Sequence, residues 1–153
     1  MHDAGNGMGL RYAIRNNSTH RNANMTKSET RKRILIVEDD SDFREILSRS
    51  LRQAGYEVHE AEHALGAICA MVRAGADLIL TDIRMPIMDG LGLVRELKAH
   101  EDTRGVPVVA MTGFDTPENR TAALQAGCVG YIAKPIDSRE FLGRIAEFIR
   151  AEQ

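Results

Sequence analysis

Four short apolar runs, each ending on a polar residue, constrain this chain more than any other feature of its 153 residues. Ile34-Leu-Ile-Val37 runs into Glu38, Asp39 and Asp40. Leu78-Ile-Leu80 runs into Thr81-Asp82. Val106-Pro-Val-Val-Ala-Met111 ends at Thr112, and Val129 to Ala133 ends at Lys134-Pro135. Apolar runs without alternation fit strands buried on both faces, as in a parallel sheet. Tyr56 to Glu60 reads as a further strand, second in chain order.

Helical spacing fills the gaps. Phe43, Ile46, Leu47, Leu51 and Ala54 recur at helical intervals, with Gly55 as the stop. Leu65, Ile68, Cys69 and Val72 give a second helix, ended near Gly75. Leu91, Val94 and Leu97 mark a third after Gly90. Residues 117–126 form a fourth, stopped by Gly127. Phe141, Leu142, Ile145, Phe148 and Ile149 form the last, capped by Asp137 or Ser138. Strands alternating with helices predict an α/β, doubly wound, five-stranded parallel sheet with five helices.

In such sheets ligands bind outside the carboxyl ends of the strands. Glu38, Asp39, Asp40, Asp82, Thr112 and Lys134 should therefore meet at one edge. Crowded carboxylates repel one another unless a cation compensates. Oxygen-only ligands suit Mg²⁺, and Lys134 offers a second cation. A carboxylate can attack phosphorus, and phosphoryl transfer asks mainly for positioning and charge neutralisation. The edge reads as a phosphoryl acceptor. The third strand tends to be central in such a sheet, which selects Asp82 as the nucleophile.

Four segments together resemble the response-regulator receiver family. They are Ile34-Leu-Ile-Val-Glu-Asp-Asp40, Leu80-Thr-Asp-Ile-Arg-Met-Pro-Ile-Met-Asp-Gly90, Val108-Val-Ala-Met-Thr-Gly113 and Gly130-Tyr-Ile-Ala-Lys-Pro135. The resemblance covers about residues 33 to 150 and implies a flavodoxin-like strand order 2-1-3-4-5. It implies phosphorylation of Asp82 by a sensor histidine kinase or a histidine phosphotransfer protein. It implies Mg²⁺ held by Glu38, Asp39, Asp82 and the backbone carbonyl of Arg84. Thr112 and Lys134 would meet the phosphoryl oxygens, and Tyr131 would change rotamer as Thr112 moves. Lys134-Pro135 resembles the family's cis peptide.

Each residue also has a plainer reading. Asp40 or Ser41 can cap the first helix. Thr112 can be a cap, Lys134 a solvated turn lysine and Tyr131 a packing residue. Met85, Met88 and Met111 read as packing residues. A haloacid-dehalogenase-type phosphohydrolase would use a similar site, but its nucleophile normally has an Asp two residues on, where Arg84 stands. A degenerate receiver that only binds partners would not need Glu38, Asp39, Asp82, Thr112 and Lys134 intact. The expectation is a switch rather than an enzyme.

The rest of the chain bounds its setting. Residues 1–33 hold seven basic side chains against two acids, and the other 120 hold thirteen against twenty. Residues 1–30 show neither helical nor strand period, so they read as a disordered basic extension ahead of a receiver domain over 31–153. Gly5-Asn-Gly-Met-Gly9 follows no strand and opens no helix, so it is no phosphate loop. Cys69 and Cys128 lack metal spacing and read as small core residues of a reduced, cytoplasmic protein. No run approaches the ~20 apolar residues of a membrane span. Nothing after the last helix reads as a DNA-binding domain, so the expected output is a downstream protein target. The chain would act as a monomer or a phosphorylation-dependent dimer.

Overall fold

The computed structural model describes residues 31–84 and 89–152. Strands β1 (Arg33–Val37), β2 (Glu57–Ala61), β3 (Leu78–Asp82), β4 (Val108–Thr112) and β5 (Gly130–Ala133) alternate with α1 (Ser41–Gln53), α2 (Ala64–Arg73), α3 (Gly90–Ala99), α4 (Pro117–Ala126) and α5 (Ser138–Ala151). The strands form one sheet in the order β2-β1-β3-β4-β5. Every pairing is parallel. The predicted disordered extension, and Met85 and Met88, lie outside the described residues.

The unbroken apolar runs are explained by two cores, one on each face of the sheet. Leu35, Val37, Ile79, Val108 and Ala110 pack with residues of α2, α3 and α4. Ile34, Ile36, Leu78, Leu80, Val109 and Met111 point the other way, toward Leu47 and Leu51 of α1 and Phe141 and Ile145 of α5. Strand residues alternate between faces, so a strand between two cores must be apolar throughout.

Side chains set the helix ends. Asp40 caps α1, accepting from the amides of Asp42 and Phe43 at 3.0 and 3.1 Å. Asp89, Thr116 and Asp137 cap α3, α4 and α5 in the same way. His63 caps α2 through Nδ1, which accepts from the Gly66 amide at 3.0 Å. Each cap satisfies amide groups that the first helical turn leaves without partners. Gly127 closes α4 with φ 116°, a conformation costly for a residue bearing a Cβ.

Three packing expectations are corrected. Ile46 and Leu65 are exposed. Cys69 is exposed too, whereas Cys128 is buried as expected. The α2 sequence is apolar on every side, so its period cannot choose a face. The small Ala64 and Ala67, with Met71, fill the space next to the sheet. That turns Leu65 and Cys69 outward. Strand β4 begins at Val108 rather than Val106.

Candidate functional site

The parallel register brings the strand ends into one row. Asp82 is level with Met111, so Thr112 lies one step beyond it on the next strand. The amide of Lys134 donates to the Thr112 carbonyl at 2.7 Å, which sets the lysine beside the threonine. On the other side of β3, the Glu38 amide donates to Ala61 at 3.0 Å just past the end of β1. Lys134-Pro135 is a cis peptide.

These positions bring most of the expected residues together. Lys134 Nζ lies 3.0 Å from Glu38 Oε2 and 3.3 Å from Asp82 Oδ2. Single carboxylate oxygens of Glu38, Asp39 and Asp82 lie within 4.8 Å of one another. Glu38 is 1% exposed, Asp82 8% and Thr112 1%, whereas Asp39 faces solvent. Burial pushes the Glu38 carboxyl up to about 7; the Asp82 charge adds to the rise and Lys134 opposes it. A rim of hard oxygen donors, buried at the back and open at Asp39, fits a small divalent cation.

Thr112 and Tyr131 meet through Phe114. Thr112 Oγ1 accepts from the Phe114 amide at 3.0 Å, and the Tyr131 hydroxyl donates to the Phe114 carbonyl at 3.1 Å. Tyr131 is half-buried and packs against the α2–α4 core. The Arg84 amide donates to Asp82 Oδ1 at 3.2 Å.

Three further residues shape the site beyond those read from sequence. Lys134 Nζ sits 4.5 Å from the centre of the Phe43 ring, an apolar floor under the ammonium. Arg44 Nη1 donates to the Glu38 carbonyl at 2.7 Å, tying α1 to the end of β1. Gly90 has no room for a side chain: a Cβ there would overlap the backbone carbonyl oxygen of Asp82. The Gly90 amide donates to the Ile83 carbonyl at 2.8 Å, so the turn closes directly behind the central carboxylate. The Asp89-Gly90 pair was the available signal for that last contact.

A doubly wound 2-1-3-4-5 sheet with three acids and a lysine on its carboxyl edge is a flavodoxin-like fold with a charged site at the strand ends. Residues 34–146 match the response regulator receiver domain model, and the chain belongs to that family. It is 37% identical over 119 residues to the phosphate regulon transcriptional regulatory protein PhoB of Pseudomonas aeruginosa, covering 78% of this chain and 52% of that one. A CheY-like response regulator receiver domain protein from Methanospirillum hungatei matches with TM-score 0.73 and 34% identity, over 80% of this chain and 97% of that one. The receiver domain of the sensor histidine kinase PA1611 from Pseudomonas aeruginosa, with a magnesium ion coordinated in its active site cleft, matches with TM-score 0.72 and 33% identity. That match covers 78% of this chain and 98% of that domain. The chain spans about half the length of the curated relatives it matches first. No helix among the described residues is long and apolar enough to cross a membrane.

Proposed function

We propose that residues 31–153 form a receiver whose Asp82 accepts a phosphoryl group from a sensor histidine kinase or a histidine phosphotransfer protein. A carboxylate oxygen of Asp82 bonds to phosphorus as the phosphorus–nitrogen bond of the donor phosphohistidine breaks and the imidazole leaves. The observation that carries this reading is the Lys134 ammonium 3.3 Å from Asp82 Oδ2, beside two further carboxylates. Glu38, Asp39, Asp82 and the backbone carbonyl of Arg84 would hold Mg²⁺. The ion supplies positive charge for the phosphoryl oxygens when bound. Lys134 would pair with one phosphoryl oxygen, and the Thr112 hydroxyl would donate to another.

Thr112 and Tyr131 then carry the change to the face of α4, β5 and α5. A covalent group shifts a conformational balance only through contacts that differ between the two states. The Thr112 bond to the phosphoryl group is such a contact. The output is a protein-binding surface, read by a downstream target in the cytoplasm. The free cysteines support a reduced compartment.

Incubation with acetyl phosphate and Mg²⁺, followed by intact mass, tests the reading. The expected result is one stable phosphoryl adduct as acetate leaves. Rapid release of inorganic phosphate would indicate a hydrolase instead, and no change would indicate a binding module.

A further inference from the structure

The mouth of the Asp82 site holds a contact that the phosphoryl chemistry above does not use. The Arg84 guanidinium lies over the Phe114 ring, with Cζ 3.9 Å from its centre. Arg84 is exposed, and Phe114 is 55% exposed although it is large and apolar. The guanidinium forms no ion pair with a carboxylate among the described residues; the ring is its contact.

Both partners are anchored at their backbones. The Arg84 amide donates to Asp82 Oδ1, so the root of this side chain is fixed to the carboxylate itself. The Phe114 amide is held by Thr112 Oγ1 at 3.0 Å. Its carbonyl accepts from Asn119 Nδ2 at 2.7 Å and from the Tyr131 hydroxyl at 3.1 Å. The stack therefore joins the end of β3 to the loop after β4, and that loop to Tyr131 on β5.

We infer that Arg84 and Phe114 form a latch that the phosphoryl group opens. This rests on the reading of Asp82 as the acceptor. Without the phosphoryl group, the guanidinium rests on the ring. A phosphoryl group on Asp82 adds oxygens of high negative charge two residues away. A guanidinium binds such oxygens through charge-assisted, paired hydrogen bonds, which outweigh an exposed cation–π contact. Arg84 leaves the ring, and Phe114 loses the contact that holds it across the site mouth. The Phe114 carbonyl is the acceptor for Tyr131, so the release reaches β5 through the backbone. Thr112 is not displaced by this route, because a hydroxyl can accept from the Phe114 amide while donating to phosphate.

These 153 residues contain no tryptophan, so Phe114→Trp introduces a single indole reporter. Beryllofluoride with Mg²⁺ serves as the phosphoryl mimic, and ¹⁹F NMR reads its occupancy independently. In Phe114→Trp the emission should shift in step with occupancy. In the double variant with Arg84→Gln it should begin at the released position and stay there at full occupancy. In the wild-type protein, the Phe114 ring current should hold the Arg84 Nε–H resonance upfield, and beryllofluoride should move it downfield. An equal emission shift with and without Arg84, or an unmoved Nε–H at full occupancy, would overturn the latch. Absence of bound beryllofluoride in the wild type would instead overturn the acceptor reading, and the latch with it.

Discussion

Lys134 and Glu38 stand 96 residues apart in the chain, yet the lysine ammonium lies 3.0 Å from Glu38 Oε2. The same ammonium is 3.3 Å from Asp82, so one cation spans the two buried acids at the carboxyl edge of β1 and β3. The lysine directly follows β5, which is the far edge of the sheet from β2. Only a parallel sheet that puts every strand end on one side can bring these groups together.

Glu38 gives the fold a pH dependence whose sign follows from its carboxyl being raised from 4.5 to about 7. Between those values the folded protein binds a proton that the unfolded chain has released. Stability is therefore fully present below the unfolded value and falls as pH rises toward 7. In buffer free of divalent ions, raising the pH from about 5 to 8 should cost on the order of 2 kcal/mol. Glu38→Gln should remove that component. Urea unfolding of both proteins across the range checks this; parallel curves would contradict it.

Mg²⁺ should raise the unfolding midpoint, because a ligand that binds only the folded state stabilises it by mass action. At tenfold excess over the dissociation constant the gain is about 1.4 kcal/mol, or roughly 4 °C for a domain of this size. Asp39 is the solvent-facing acid of the three, so Asp39→Ala should abolish the shift. The gain should also grow as pH rises through 7, where Glu38 gives up its proton. Thermal melts with and without Mg²⁺ measure both effects, and an undiminished shift in Asp39→Ala would remove that residue from the ligand set.

Gly90 and Gly113 make a matched pair of substitutions. A methyl group at Gly90 meets the Asp82 backbone, which cannot yield without moving the Asp82 carboxylate, whereas Gly113 opens onto space. Gly90→Ala should cost about 1–3 kcal/mol and slow phosphorylation. Gly113→Ala should stay within about 0.5 kcal/mol of wild type. Equal stability of the two variants in denaturant titrations would contradict the crowding at Gly90.

Thr112→Ala should still accept phosphoryl from acetyl phosphate, because Asp82 and the acidic rim remain. It should lose most of the response of α4 and α5 to beryllofluoride, since no hydroxyl draws residue 112 toward the new oxygens and only the Arg84–Phe114 release remains. The half-buried Phe114 amide also loses its acceptor, at a cost of about 1 kcal/mol. NMR shifts on α4 and α5 supply the readout. A full wild-type response would show that the change bypasses Thr112.

Much of the site was legible because it sits where apolar runs stop. Glu38, Asp82, Thr112 and Lys134 each end a run, and a parallel sheet makes such ends neighbours. Helix faces were less legible. The α2 segment is apolar on all sides, so no period could show that Ala64 and Ala67 face the sheet while Leu65 and Cys69 face out. The Arg84–Phe114 stack was invisible for another reason: it joins two loop residues 30 positions apart, and loops carry no period that reports a partner. The need for glycine at 90 is set by the distant Asp82 carbonyl, so the sequence carried the residue without its cause.

Chemical location of the phosphoryl group tests the central claim most directly. The wild-type protein is treated with acetyl phosphate and Mg²⁺, reduced with borohydride, digested and sequenced by mass spectrometry. Borohydride converts an aspartyl phosphate to homoserine. The expected result is homoserine at position 82 alone, with none in Asp82→Asn treated in parallel. Homoserine at another aspartate in the wild type, or an undiminished adduct in Asp82→Asn, would contradict the account.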